Sequence, residues 1–205
     1  MKEGTSVLGA ILAILGSYLI GSIPFGLIVG RIWANLDVRE YGSGNIGTSN
    51  VLRTIGPAAA IVVFILDVAK GAVAVYLGSL AGGEVVRLLA GVAAIAGHNW
   101  PVYLNFRGGK GVATSLGAIV SLTPVIALIL LGLWIALVGI TKYISLASLA
   151  AALLFPIFLI ITGASTTYIV MGFLISSFAF YRHRTNIQRL LAGTENKIGQ
   201  RAKKK

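Results

Sequence analysis

The sequence predicts an all-α integral membrane protein with seven transmembrane helices, one of them short, its N-terminus outside and its C-terminus in the cytoplasm. Three observations carry this. Of 205 residues, 57% are hydrophobic and only 11% charged, whereas a soluble domain carries about 25% charged residues. Apolar runs close to the length of a bilayer span recur along the chain. Most basic residues fall in the gaps between those runs, in a pattern that assigns sides to the membrane.

The first run, about 6–30, is too long for a signal-peptide core and lacks a convincing cleavage site, so it reads as a retained span. Further runs lie at about 56–80, 85–104, 144–161 and 166–181. The run from Val112 to Ile140 is longer than one span needs, and it contains Ser121-Leu122-Thr123-Pro124. Pro124 has no N–H to donate and pushes Thr123 out of the helical region. Kept whole, that run gives an even number of crossings and sends the basic C-terminus outside. Divided into 111–121 and 124–140, it places Arg31, Arg39, Arg53, Arg107, Lys110, Lys142 and the whole basic tail on the cytoplasmic side. Lys2 and Arg87 then stay near the outer side, and Lys70 lies inside a span. The short segment is about 15 Å long as a helix. It must tilt, extend through Gly108–Gly111, or sit within protein.

No internal repeat divides the chain, so residues 1–205 form one domain with a basic tail at about 182–205. That tail reads as an interfacial helix fraying at Lys203–Lys205. The net charge of +11 is accounted for mainly by the cytoplasmic bias, so no nucleic-acid partner is expected. With no cysteine, thiolate catalysis, disulfides and Cys metal sites are excluded.

Three polar segments remain, all on the predicted cytoplasmic side. Glu40–Arg53 alternates glycines with Ser43, Asn45, Thr48, Ser49 and Asn50 and ends in the two-pronged cation Arg53. Such a segment can turn backbone and side-chain donors toward an anion; the plain alternative is a flexible linker. Gly97–Thr114 contains His98 and then Gly108-Gly109-Lys110-Gly111 opening a helix, a setting suited to phosphate. It is no Walker A loop, because Gly111 stands where Ser or Thr would hold magnesium. The plain alternative is a basic juxtamembrane turn, with His98 a packing group. In the third segment, Tyr181–Glu195, His183 and Asn186 share a face if helical. The basic residues there also suit a stop-transfer flank. Asp67 and Lys70, at i,i+3 inside a span, are either functional or a mutually neutralising structural pair. Ser145 and Ser148 share the first turn of a helix, facing the same cytoplasmic pocket or bonding their own backbone.

Cations, glycine-rich backbone and hydroxyls at one membrane face imply an anionic, phosphate-bearing ligand with an apolar part. Two histidines without a carboxylate cluster give no metal site, and no Ser–His–Asp set is present. The His-x-x-x-x-Asp pair of soluble-type glycerolipid acyltransferases is absent too, since Tyr103 and Gln188 occupy the relevant places. An anion transporter is the alternative, although the polar residues gather at one face rather than the midplane. A lipid-binding scaffold is a third reading, which would not require the His183–Asn186 pair.

Together, in order, the three segments resemble the three motifs of the bacterial acyl-phosphate:glycerol-3-phosphate acyltransferase (PlsY) family, over essentially the whole chain. The Gly-Ser-Gly-Asn stretch ending in Arg53 matches the first motif. His98…Gly108-Gly109-Lys110-Gly111 matches the second, and Arg182-His183-Arg184-Thr185-Asn186-Ile187…Gly193-Thr194-Glu195 the third. Thr48-Ser49 stands where Ala-Thr is usual and Arg107 where Lys is common, which keeps the hydroxyl and the charge. The resemblance implies a multi-pass enzyme of the bacterial cytoplasmic membrane with its active site on the cytoplasmic side. It implies acyl transfer from acyl-phosphate to the 1-position of glycerol 3-phosphate, yielding lysophosphatidic acid and phosphate, without a cofactor. Ser43, Arg53, Lys110, His183 and Asn186 would be catalytic. Gly44, Asn45, Asn50, Gly108, Gly109, Gly111 and Ser148 would bind substrate, while Glu195, Asp67 and Lys70 would be structural. Membrane lipids are the surroundings, and a monomer is compatible with all of this. Acyl-phosphate is already activated, so positioning and electrostatics dominate. The acceptor's proton is expected to reach a substrate phosphate oxygen rather than His183, which has no carboxylate placed to orient it.

Overall fold

A computed structural model of the chain describes residues 6–204. Lys2 and Lys205, given sides or a frayed end above, lie outside the described residues. The chain is all helical, with elements α1 (Val7–Ser22), α2 (Phe25–Ala34), α3 (Thr48–Thr54), α4 (Pro57–Ala81), α5 (Glu84–Asn99), α6 (Val112–Leu122), α7 (Pro124–Thr141), α8 (Ile144–Ile161), α9 (Thr166–Arg182) and α10 (Arg184–Leu191). Among the described residues, five stretches are long and apolar enough to cross a membrane: Val7–Ala34, Pro57–Ala81, Glu84–Leu104, Pro124–Thr141 and Ile144–Ile161. α6 and the 17-residue α9 are shorter.

The long apolar run divides at Thr123–Pro124, as the sequence predicts. α6 neither lengthens through the glycines, where Gly111 caps it in a left-handed conformation, nor stands alone. It lies against α4, and a side chain on Gly71 would collide with the Thr114 carbonyl, one on Gly117 with the Val68 carbonyl. Lipid offers no hydrophobic drive to press helices together, so close backbone approach at small residues does that work. α1 packs on α5 and α4, and α8 on α7 and α9.

Two expectations are corrected. The first run is not one helix. Pro24 breaks it: Ile23 takes an extended conformation, and α2 starts at Phe25. The same rule that cuts the chain at Pro124 applies at Pro24, but the apolar side chains on both sides of it mask the break. The tail, expected as an interfacial helix, is helical only over α10. Helix α10 stops at Leu191, and the chain returns over the first polar segment. Ile198 N–H donates to Lys142 O (2.9 Å), Ala202 N–H to Arg53 O (2.9 Å) and Gly42 N–H to Lys203 O (2.9 Å). Lys204 bridges Tyr41. The first polar segment is no loose linker either. Val38, Ile46 and Val51 are buried with Leu27 and Val29 of α2 and Ala59, Ala60 and Val63 of α4.

Candidate active site

The three polar segments and the first turn of α8 meet around a cavity of about 210 Å³. Ser43, Asn45, Asn50, Arg53, Asp67, Lys110, Gly111, Ser148, His183, Asn186 and Glu195 all line it. Gly44, Gly108, Gly109 and Lys70 do not. A second cavity of about 130 Å³ adjoins the first and is almost wholly apolar, walled by Ile95, Ile119, Ala127, Leu130, Phe155 and Ile175 among others. Phe64, Lys110, Val112, Trp134 and Ser148 border both, so a chamber lined mostly by polar and charged residues adjoins a greasy one at a shared collar.

In the first segment, Asn50 is the organiser. Its amide nitrogen donates to Val38 O (2.8 Å) and Tyr41 O (3.2 Å). Its oxygen accepts from the Ser43 backbone N–H (3.0 Å) and hydroxyl (3.1 Å). Buried amides must be satisfied, and this one is satisfied wholly by its own loop. Arg53, on α3, reaches the Ser43 hydroxyl at 3.4 Å. Burial lowers the Arg53 pKa, but a guanidinium remains charged.

From the opposite wall, Lys110 Nζ donates to Asn186 Oδ1. Asn186 in turn donates to Glu195 Oε1 (2.6 Å), which also accepts from the Ser145 hydroxyl (3.0 Å); Arg189 pairs with Glu195 Oε2 (2.7 Å). Burial draws the Lys110 pKa down to about 8; Arg189, Arg53 and Arg182 push the same way, and Glu195 opposes them. His183 lies at the break between α9 and α10, 2% exposed. Its Nδ1–H donates to Ala179 O (2.8 Å), which leaves Nε2 without a proton in the neutral ring. Burial, and then the Lys110 charge, depress its pKa to about 4. Ser148 donates to Ile144 O (2.9 Å) and accepts from the Trp134 indole N–H (3.1 Å) at the collar.

The glycines at 108 and 109 serve a purpose the sequence does not suggest. The Gly109 N–H is used on His98 O (2.9 Å). A side chain on Gly108 would strike that same carbonyl, and one on Gly109 the His98 ring. The loop carrying Lys110 is thus pressed flat against His98. Arg182, not singled out as a site residue above, holds its other face: Nε donates to Gly109 O (2.8 Å) and a terminal nitrogen to Gly108 O (2.6 Å). Its place next to His183 in a cluster of basic residues was visible, but a basic flank ordinarily points to water or head groups.

The chain was compared with known proteins. Residues 11–193 match the family model for glycerol-3-phosphate acyltransferase. A glycerol-3-phosphate acyltransferase of Thermoanaerobacter sp. (strain X514) is 44% identical over 192 residues, covering 94% of this chain and 97% of the relative. One from Synechococcus sp. (strain CC9605) is 45% identical over 195 residues, covering 95% and 96%. Among solved structures, PlsY, an integral membrane glycerol 3-phosphate acyltransferase, in its glycerol 3-phosphate form superposes with a TM-score of 0.87 at 36% identity, over 93% of this chain and 96% of that one. Its lysophosphatidic acid form gives 0.84 at 35% identity.

Proposed function

Because this chain belongs to the glycerol-3-phosphate acyltransferase family, we propose that it is an integral membrane enzyme that transfers a fatty acyl group from acyl-phosphate to the 1-hydroxyl of glycerol 3-phosphate. One observation carries the proposal: cations from three separate segments, Arg53, Lys110 and Arg189, line a cavity that adjoins an apolar one. A phosphorylated head group beside a hydrocarbon chain fits that pair of chambers.

In the proposed reaction the two phosphates occupy the polar chamber and the acyl chain enters the apolar one. The carbonyl then lies at the collar, near Ser148 and Lys110. The 1-hydroxyl attacks the carbonyl carbon, the carbon–oxygen bond to phosphate breaks, and the hydroxyl proton passes to a phosphate oxygen. Lysophosphatidic acid and inorganic phosphate leave. Arg53 and Lys110 stabilise the developing negative charge, and Ser43, which donates to Asn50 and accepts from Arg53, holds the guanidinium in place. His183 offers an unprotonated Nε2 that can accept a hydrogen bond from the attacking hydroxyl and orient it. With a pKa drawn to about 4, it is too weak a base to keep that proton. Asn186 positions Lys110, and Glu195 positions Asn186.

The charge pattern supports seven crossings, counting α6 and α9, in the cytoplasmic membrane of a bacterium, with the cavity on the cytoplasmic side. Purified protein given acyl-phosphate and labelled glycerol 3-phosphate is expected to release lysophosphatidic acid and phosphate in equal amounts. Uptake of glycerol 3-phosphate into vesicles without product would support a transporter instead. Tags on the two termini are expected on opposite sides of the membrane; finding both on one side would refute the seven-crossing arrangement.

A further inference from the structure

Asp67 and Lys70 sit one turn apart on α4, and His98 ends α5; all three are at most 4% exposed. Lys70 Nζ lies 2.8 Å from Asp67 Oδ1, 2.8 Å from His98 Nδ1 and 3.1 Å from Ile23 O. The last of these is a carbonyl that the Pro24 break leaves outside the helix ladder. An ammonium can only donate, so His98 Nδ1 is the acceptor and its proton is on Nε2. That Nε2 faces the Gly109 backbone, against which the ring packs, while the His98 carbonyl takes the Gly109 N–H. Arg182 grips the far face of the same loop.

Ionised groups in the membrane interior are costly, and a buried ion pair adds little stability over apolar side chains of like volume. This cluster therefore calls for a reason besides folding; Asp67 and His98 also line the cavity wall, and the cluster's backbone contact with the site is the glycine loop. We infer that Asp67, Lys70 and His98 are positioning residues for that loop: they lock the His98 ring, the ring sets the plane of Gly108–Gly109, and so the next residue, Lys110, is delivered to Asn186. The reaction proposed above, on which this inference rests, gives none of the three a contact with the reacting atoms. Because the loop serves Lys110 alone among the phosphate-facing cations, loosening it should weaken glycerol 3-phosphate binding selectively.

The test compares the full-length protein with Asp67→Leu/Lys70→Met, which replaces the pair by apolar side chains, and with His98→Phe, which keeps a ring against Gly109 but loses the link to Lys70. Both are expected to melt within a few degrees of the parent. Amide exchange in a peptide covering 105–112 should quicken about tenfold in each while that of α7 and α8 is unchanged. KM for glycerol 3-phosphate should rise about tenfold and KM for acyl-phosphate by less than twofold. Lys70→Arg, which retains a cation between Asp67 and His98, should recover most of both losses. Unchanged loop exchange and unchanged KM in a folded variant overturn the inference. So does a uniform loss across both substrates with exchange raised throughout, since that is a purely structural role. Should the double variant not fold, His98→Phe decides alone by the same readings. Failure of the parent to make product would refute the proposed function, yet the exchange comparison needs no substrate and would still judge the inference.

Discussion

The two glycine-bearing loops at the cavity look alike in sequence and are built differently. In the first, Gly42 and Gly44 take positive φ of 52° and 70°, and the turn they make exposes Ser43 and Asn45 to the cavity. That loop is braced by its own Asn50 and by backbone bonds from the returning tail. In the second, Gly108 and Gly109 are needed for closeness rather than for turning, and the bracing comes from His98 and Arg182 on the neighbouring helices α5 and α9. Glycine composition alone thus does not say whether a loop offers its backbone to a ligand or presses it against the protein.

The largest effect expected is loss of a cation from either loop. Lys110→Met and Arg53→Met should each cost about 2–5 kcal/mol of transition-state binding, as truncation of one member of a buried charge pair does. That is a fall of roughly 30- to several-thousand-fold in kcat/KM. Were only one of the two variants impaired, the loops would not converge on a common substrate. Next comes Gly109→Ala. Its methyl group has no room beside the His98 ring, and overpacking of this kind costs about 1–3 kcal/mol. Steady-state kinetics should show it mainly as a raised KM for glycerol 3-phosphate. Smaller still is removal of residues 199–205, which deletes the Ala202–Arg53 and Gly42–Lys203 backbone bonds but leaves Glu195 and Ile198 in place. At about 1 kcal/mol per bond lost, activity should fall several-fold while the second loop's amide exchange stays unchanged.

Much of this was legible from the residues alone. The Thr123–Pro124 division follows from proline stereochemistry and the placement of basic residues. The gathering of Ser43, Arg53, Lys110, His183 and Asn186 follows from three motifs that the charge pattern predicts at one membrane face. Three features were not legible. Pro24 breaks a run whose flanks are apolar enough to read as one helix. The tail's return over Gly42 rests on backbone bonds, which carry no side-chain signature. Within the Asp67, Lys70 and His98 cluster, Lys70 and His98 lie 28 residues apart in sequence, so pairing rules for a single helix find only the Asp67–Lys70 half.

The smallest and most diagnostic effect is in the pH dependence. The Lys110 pKa is drawn down from 10.5 to about 8 by burial, so in free enzyme the ammonium begins to lose its proton near pH 8. Then kcat/KM should halve near that pH and fall about tenfold per unit beyond it, since the deprotonated amine cannot offset phosphate charge. Bound phosphate favours the ammonium, so the alkaline limb of kcat should lie at higher pH than that of kcat/KM. Between about pH 8 and 10.5 the unfolded chain holds more protons at Lys110 than the folded one. Stability of the substrate-free protein should therefore rise with pH over the range in which activity falls, a divergence that general alkaline unfolding would not produce. At the acid end, His183 with a pKa of about 4 stays neutral down to that value. Any fall in rate near pH 6 belongs instead to the substrate phosphate, whose second pKa is about 6. In Lys110→Arg the cation does not titrate, so whatever activity remains should lose the alkaline limb. An unaltered limb in that variant would transfer it to another group and remove Lys110 from the phosphate site.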